Sequence, residues 1–223
     1  MKEAPINPLP LVVWALALPM IAMELVMSLG ATGLTSDPAA IGWRLSAVEG
    51  FGFFPGILRA MVEQNVWPWQ HVIRLVTYPF IHGSITHALF AVVILLALGK
   101  MVAEAFRAWA VLAVFFSSAI VGACVYTLIP WAEQPIFGAY PPVYGLIGAF
   151  TFLLWVKLAG SGAQYRAFSL IGLLLGVQLL FGALFGGTLE WVADLAGFAT
   201  GFLMSFVVSP GGASRVMEKI RQR

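Results

Sequence analysis

Five side chains of this 223-residue chain have types suited to proton transfer or nucleophilic attack: His82, His87, Tyr140, Glu190 and Asp194. Glu190 and Asp194 are four residues apart, so on a helix they project from one face. A phenol such as Tyr140 attacks only when a neighbouring base activates it. An aspartate, with an ordinary pKa of about 3.9, is a weak base at neutral pH. Two histidines and two carboxylates also sketch a mixed metal site. The reading adopted is a polar network that orders the core, with no metal and no cofactor. Ser84, between the histidines, and Ser117 and Ser118 are the other hydroxyls to weigh.

These residues must be held by elements that live in lipid. The chain is 61% hydrophobic and 10% charged, with mean hydropathy +0.93. A soluble domain carries about 25% charged residues, so this composition excludes a water-facing surface. Apolar runs of about 20 residues match a bilayer crossing. Six spans are expected: Leu9–Leu29, His82–Val102, Ala108–Ile129, Pro142–Leu158, Ala167–Phe185 and Leu189–Val208. The whole of 1–223 reads as one all-α transmembrane domain. Its first span is longer than the apolar core of a cleaved leader and contains Glu24, so it is expected to be retained. Glu24 reads as an interfacial carboxylate reaching water or a neighbouring donor. Cys124 is the sole cysteine, so no intrachain disulfide forms. No phosphate loop, zinc-ligand spacing or basic-aromatic patch supports nucleic-acid binding.

Charge sets the orientation. Lys2, Lys100, Arg107, Lys157, Arg166, Arg215, Lys219, Arg221 and Arg223 fall on one side, against Arg44, Arg59 and Arg74 on the other. Lys/Arg excess marks the cytoplasmic face. Both termini are therefore expected inside, with 1–8 and the basic 210–223 as cytoplasmic tails. The small size and lack of extra domains suggest a bacterial inner membrane. The first connection, 30–81, is rich in apolar and aromatic residues, Trp43, Phe51, Phe53, Phe54, Trp67 and Trp69 among them. It is expected to lie in the outer interface as short amphipathic helices.

Three patterns follow one another in order. Arg74 leads through Thr77-Tyr78-Pro79-Phe80-Ile81-His82 to His87 and Ala91. Then comes Gly138-Ala139-Tyr140-Pro141-Pro142-Val143-Tyr144-Gly145-Leu146-Ile147-Gly148. The last is Ala193-Asp194-Leu195-Ala196-Gly197-Phe198-Ala199-Thr200-Gly201. Together they resemble the second, fourth and sixth helices of rhomboid intramembrane proteases over about Arg74 to Val208. Where that family has its G-x-S-G serine and glycine, this chain has Tyr140 and Pro141. Asp194 stands at the catalytic histidine. His87 fits the oxyanion-side histidine and His82 the one upstream, while Ala91 replaces the asparagine of H-x-x-x-N. Losing one oxyanion donor costs about 10²–10³ in rate. Pro141 and Pro142 also lack the N–H groups that site would use.

The resemblance implies a six-helix rhomboid-like bundle without the serine–histidine pair: a pseudoprotease. Tyr140 and Asp194 should face one another, the phenol donating to the carboxylate. Tyr140, Pro141, Tyr144, Glu190 and Asp194 are the candidate cavity residues. Gly145, Gly148, Gly197 and Gly201 are the candidate packing glycines, and Gly197 and Gly201 keep the spacing that lets membrane helices approach. The implied partners are the lipid bilayer and transmembrane helices of client proteins. Two other readings stay open: an intramembrane serine protease using another serine, and a small-solute channel or transporter.

Overall fold

The computed structural model describes residues 8–32, 38–185 and 187–211. Apart from residues 8, 210 and 211, the two expected tails lie outside the described residues. So do 33–37 of the first connection.

Ten helices follow in chain order among the described residues: α1 Leu11–Ala31, α2 Trp43–Phe51, α3 Pro55–Gln64, α4 Trp69–Val72, α5 Arg74–Thr77, α6 Ile85–Ala105, α7 Ala108–Thr127, α8 Tyr140–Lys157, α9 Ser169–Phe185 and α10 Trp191–Val208. The class is all-α, and among the described residues an antiparallel bridge between Phe53 and Ile136 is the one extended pairing. Helices stand at all six expected places. Four of them, α1, α6, α7 and α10, are long and apolar enough to cross a membrane. The other two differ for physical reasons. α8 opens on Pro141 and Pro142 and closes on Lys157, and it is walled by protein from Pro141 through Ala149. A helix enclosed by other helices needs no apolar exterior. α9 has 17 residues, one to four short of the others. The second span also starts later than expected, because Ser84 caps α6 by accepting from the His87 N–H at 3.1 Å. His82 therefore lies before the helix.

The core is a seam between α8 and α10, with α7 along it. A Cβ on Gly197 would strike the Pro141 carbonyl, and one on Gly201 the Gly145 carbonyl. On the opposite helix, a Cβ on Gly148 would meet the Phe198 carbonyl, and one on Gly145 the Ser118 hydroxyl of α7. Gly122 of α7 also approaches the Ala193 carbonyl, less tightly, at 2.9 Å from a Cβ placed there. The four glycines singled out in the sequence thus all sit where backbone meets its neighbour. α1 and α6 form a second layer, with Val13, Leu16, Ala17 and Met20 packed among Ala91, Leu95 and Val102.

The first connection is folded and pinned by arginines. Arg44 of α2 pairs with Glu24 of α1 at 2.6 Å and also donates to the His82 carbonyl. Glu24 takes a further bond from Ser28 at 2.8 Å, so its expected neighbouring donor is found. Arg59 of α3 donates to the Thr127, Ile129 and Ala132 carbonyls at 3.0, 2.7 and 2.7 Å, closing the end of α7. Arg74 donates to the Gly52 carbonyl at 2.9 Å and lies over the Phe54 ring. Leu45, Phe51, Val62, Trp67 and Trp69 point outward.

Replacing Gly201 by leucine must push two backbones apart, and is expected to destabilise the fold by about 3 kcal/mol or more, beyond ordinary overpacking. Gly176→Ala in α9 meets nothing within 4 Å. It should be neutral or stabilise by up to about 1 kcal/mol. Thermal unfolding of the two variants in one detergent compares them directly.

Candidate functional site

Gly138 sets the entrance to α8. Its φ of +95° suits glycine, and its N–H donates to the Tyr78 carbonyl at 2.9 Å. A Cβ there would run into the His87 ring at 2.5 Å. The chain thus passes flat against the imidazole and delivers Tyr140 as the first residue of α8. Proline is tolerated at the next positions because first-turn N–H groups have no helical acceptor.

The Tyr140 ring stacks on His87, with centroids 4.7 Å apart and planes 29° apart. His87 in turn meets His82 edge-on at 5.2 Å. His82 is fully buried, and neither of its ring nitrogens has a hydrogen-bond partner, nor does His87 Nε2. Burial, reinforced by the neighbouring His87, pushes His82 down to about 4. It is neutral at pH 7.

Beside Tyr140 a cavity of about 280 Å³ opens between α6 and α9. Phe90 and Ile94 of α6 and Leu174 and Val177 of α9 form its apolar sides. Tyr140 and Tyr144 of α8, Gln178 of α9 and Asp194 of α10 supply the polar groups. Asp194 is only 2% exposed, and its Oδ2 accepts from Gln178 Nε2 at 2.9 Å. Tyr144 donates to Gln178 Oε1 at 3.2 Å. One amide thereby ties three helices together.

Several expectations are corrected by this geometry. Tyr140 and Asp194 line the same cavity, but no hydrogen bond joins them. The ring of Tyr140 is drawn onto His87, and the amide of Gln178 reaches the carboxylate first. Pro141 does not line the cavity, because its carbonyl faces Gly197 and its Cβ faces Gly122. Glu190 is also absent from the lining. It precedes α10, where burial pushes its carboxyl up and a bond from Thr188 opposes that. Ala91 is sealed in the α1–α6 layer with no exposure. Among the described residues, the histidines and carboxylates are not gathered into one group able to hold a metal ion. Ser84 is spent on its helix cap, Ser117 bonds the Ala113 carbonyl at 2.6 Å, and Ser118 is buried without a partner.

Gln178 was not singled out from the sequence. Its signal was there to read: it is the lone amide in the apolar run from Leu170 to Phe185. A polar side chain in such a run faces the bundle interior as a rule.

Residues 69–211 match the family described as "Rhomboid domain". That stretch takes in α4 through α10. Over 132 residues the chain is 33% identical to "Rhomboid-like protease 3" of Toxoplasma gondii. The aligned part is 57% of this chain and 48% of that protein, so the chain spans about half the length of the curated relative it matches.

His82 carries a pH prediction. Its folded pKa lies below the ordinary histidine value of 6.5. The unfolded chain therefore binds the proton more readily, and stability is full above pH 6.5 and falls as pH drops toward 4. Between pH 7 and pH 5 this one group should cost on the order of 1–2 kcal/mol. In detergent melts, His82→Gln should flatten that fall relative to the unsubstituted chain.

Proposed function

Because the chain belongs to the rhomboid family, an integral membrane protein by its apolar helices, we propose that it works without cutting peptide bonds. On this reading it is a pseudoprotease that docks transmembrane segments of client proteins against the opening of its cavity, between α6 and α9. One observation carries the proposal. The two side chains at the places of the family's serine and histidine are engaged elsewhere, Tyr140 with His87 and Asp194 with Gln178.

Nucleophilic hydrolysis needs a hydroxyl within hydrogen-bond reach of a base. Among the described residues, no hydrogen bond joins a serine, threonine or tyrosine hydroxyl to an imidazole. The phenol of Tyr140 lies over the face of His87 and not at a ring nitrogen. Asp194, once ionised, has no proton to give a leaving amine. The two prolines at 141 and 142 leave the start of α8 poor in donors for an oxyanion.

Client binding has its own support. The cavity opens sideways, between two helices whose outer residues are apolar: Phe90 on one, Leu173, Val177 and Leu180 on the other. α9 is the least packed of the long helices. Among the described residues it meets the bundle through Ile171 and Gln178 and the turn that leads into it, and Gly172 and Gly176 stand in open space. A loosely held helix beside a lateral opening is a natural place for another helix to dock. The Lys/Arg distribution favours cytoplasmic termini, which puts the cavity in the outer half of the bilayer.

A photoreactive side chain at Val177 in native membranes should crosslink to transmembrane segments of other proteins. Capture of lipid alone removes client binding. A serine-directed fluorophosphonate should leave the purified chain unlabelled. Labelling that a single serine substitution abolishes would overturn the non-catalytic reading.

A further inference from the structure

The cavity holds a buried carboxyl group with no cation beside it. Asp194 is buried, and its Oδ2 has the neutral amide of Gln178 as partner. Among the described residues, no hydrogen bond reaches Oδ1, and no Lys, Arg or His pairs with Asp194 or Glu190. The arginines of the outer half are already committed. Arg44 is held by Glu24, Arg59 by three carbonyls, and Arg74 by Gly52 and Phe54. The N-terminal end of α10 could offset at most roughly half an elementary charge if the group ionises.

The walls have the chemistry of a cation site. Tyr140 and Tyr144 present two aromatic rings beside the carboxylate, and aromatic faces attract ammonium and guanidinium groups. The volume, about 280 Å³, falls just under the range of about 300–1,000 Å³ usual for small-molecule pockets. It admits one long side chain and not a helix.

We propose that this cavity recognises a lysine or arginine side chain carried by the transmembrane helix of a partner, with Asp194 as counter-ion and Tyr140 and Tyr144 as walls. The proposal rests on the client-binding reading and adds the chemistry of the client. The lateral opening selects a helix in the hydrocarbon over a ligand from water, because the route in passes Phe90 and Val177. A basic residue within a transmembrane segment and a carboxylate within this bundle are each costly alone. Pairing relieves both, and a basic client is preferred over an apolar one of the same length.

The test uses the full chain in phosphatidylglycerol nanodiscs. The probe is a fluorescent oligo-leucine helix of about 20 residues, carrying one lysine a turn from its outer end. The control has leucine there. On the unsubstituted chain the lysine helix should bind about tenfold more tightly. Asp194→Asn should bring it down to the affinity of the leucine helix. Because the first comparison needs no variant, misfolding of Asp194→Asn would not rescue the idea. Equal binding of the two helices overturns cation recognition and leaves client binding standing. Binding of neither overturns both. Loss of the lysine preference when phosphatidylcholine is added would assign the site to a lipid headgroup and overturn the partner-helix assignment.

Discussion

Two backbones in contact hold this molecule together. Along the α8–α10 seam, the carbonyls of Pro141, Gly145 and Phe198 occupy the space where side chains of Gly197, Gly201 and Gly148 would be. In lipid no hydrophobic force drives one apolar helix onto another. Close packing and dispersion must do it, and small residues permit the approach. The seam holds α8 from Pro141 to Gly148, and so a helix that opens on two prolines can sit at the centre of the bundle. The α1–α6 layer and the α7 wall then pack on a fixed frame.

The outer layer obeys a second constraint. A chain segment outside regular helices exposes carbonyls that lipid cannot satisfy. Here the carbonyls at the end of α7 and near Gly52 and His82 are met by guanidinium groups. Arginine suits this work because its planar fork reaches several acceptors at once. Arg44, Arg59 and Arg74 thus weigh little as topology charges and much as staples of α2, α3 and α5. The Tyr78 hydroxyl does the same from within, donating to the Ala119 carbonyl at 2.9 Å.

The legible and illegible parts divide along the same line. Helix places and the pair Gly197 and Gly201 followed from local pattern, because apolar runs and glycines four apart are visible in a short window, whereas the meeting of 140 and 194 on one cavity followed only from the family resemblance. The arginine staples were not legible, since Arg59 meets carbonyls 68 to 73 residues away and no local rule names such a partner. The start of α6 was misplaced because an apolar run does not show where a cap such as Ser84 cuts it. The partner of Asp194 was missed for a related reason. It comes from α9, an element whose pattern resembles nothing beyond a generic apolar helix.

Scaffold and chemistry are separable in this fold, and the seam explains how. It fixes main chain at Pro141, Gly145, Gly197 and Gly201. Tyr140 precedes one of those positions directly, and Asp194 lies one turn before another. Side chains at 140 and 194 are therefore aimed into a common cavity whatever their type, because the backbone that carries them is set by its neighbours. What they do there depends on size and charge. A large ring at 140 reaches the flat face of His87 and settles on it. A carboxylate at 194 must find a donor, and the nearest helix with a free amide is the loosely held α9. Tyr140 and Asp194 thus take their contacts from His87 and from α9, without asking any packed backbone to shift.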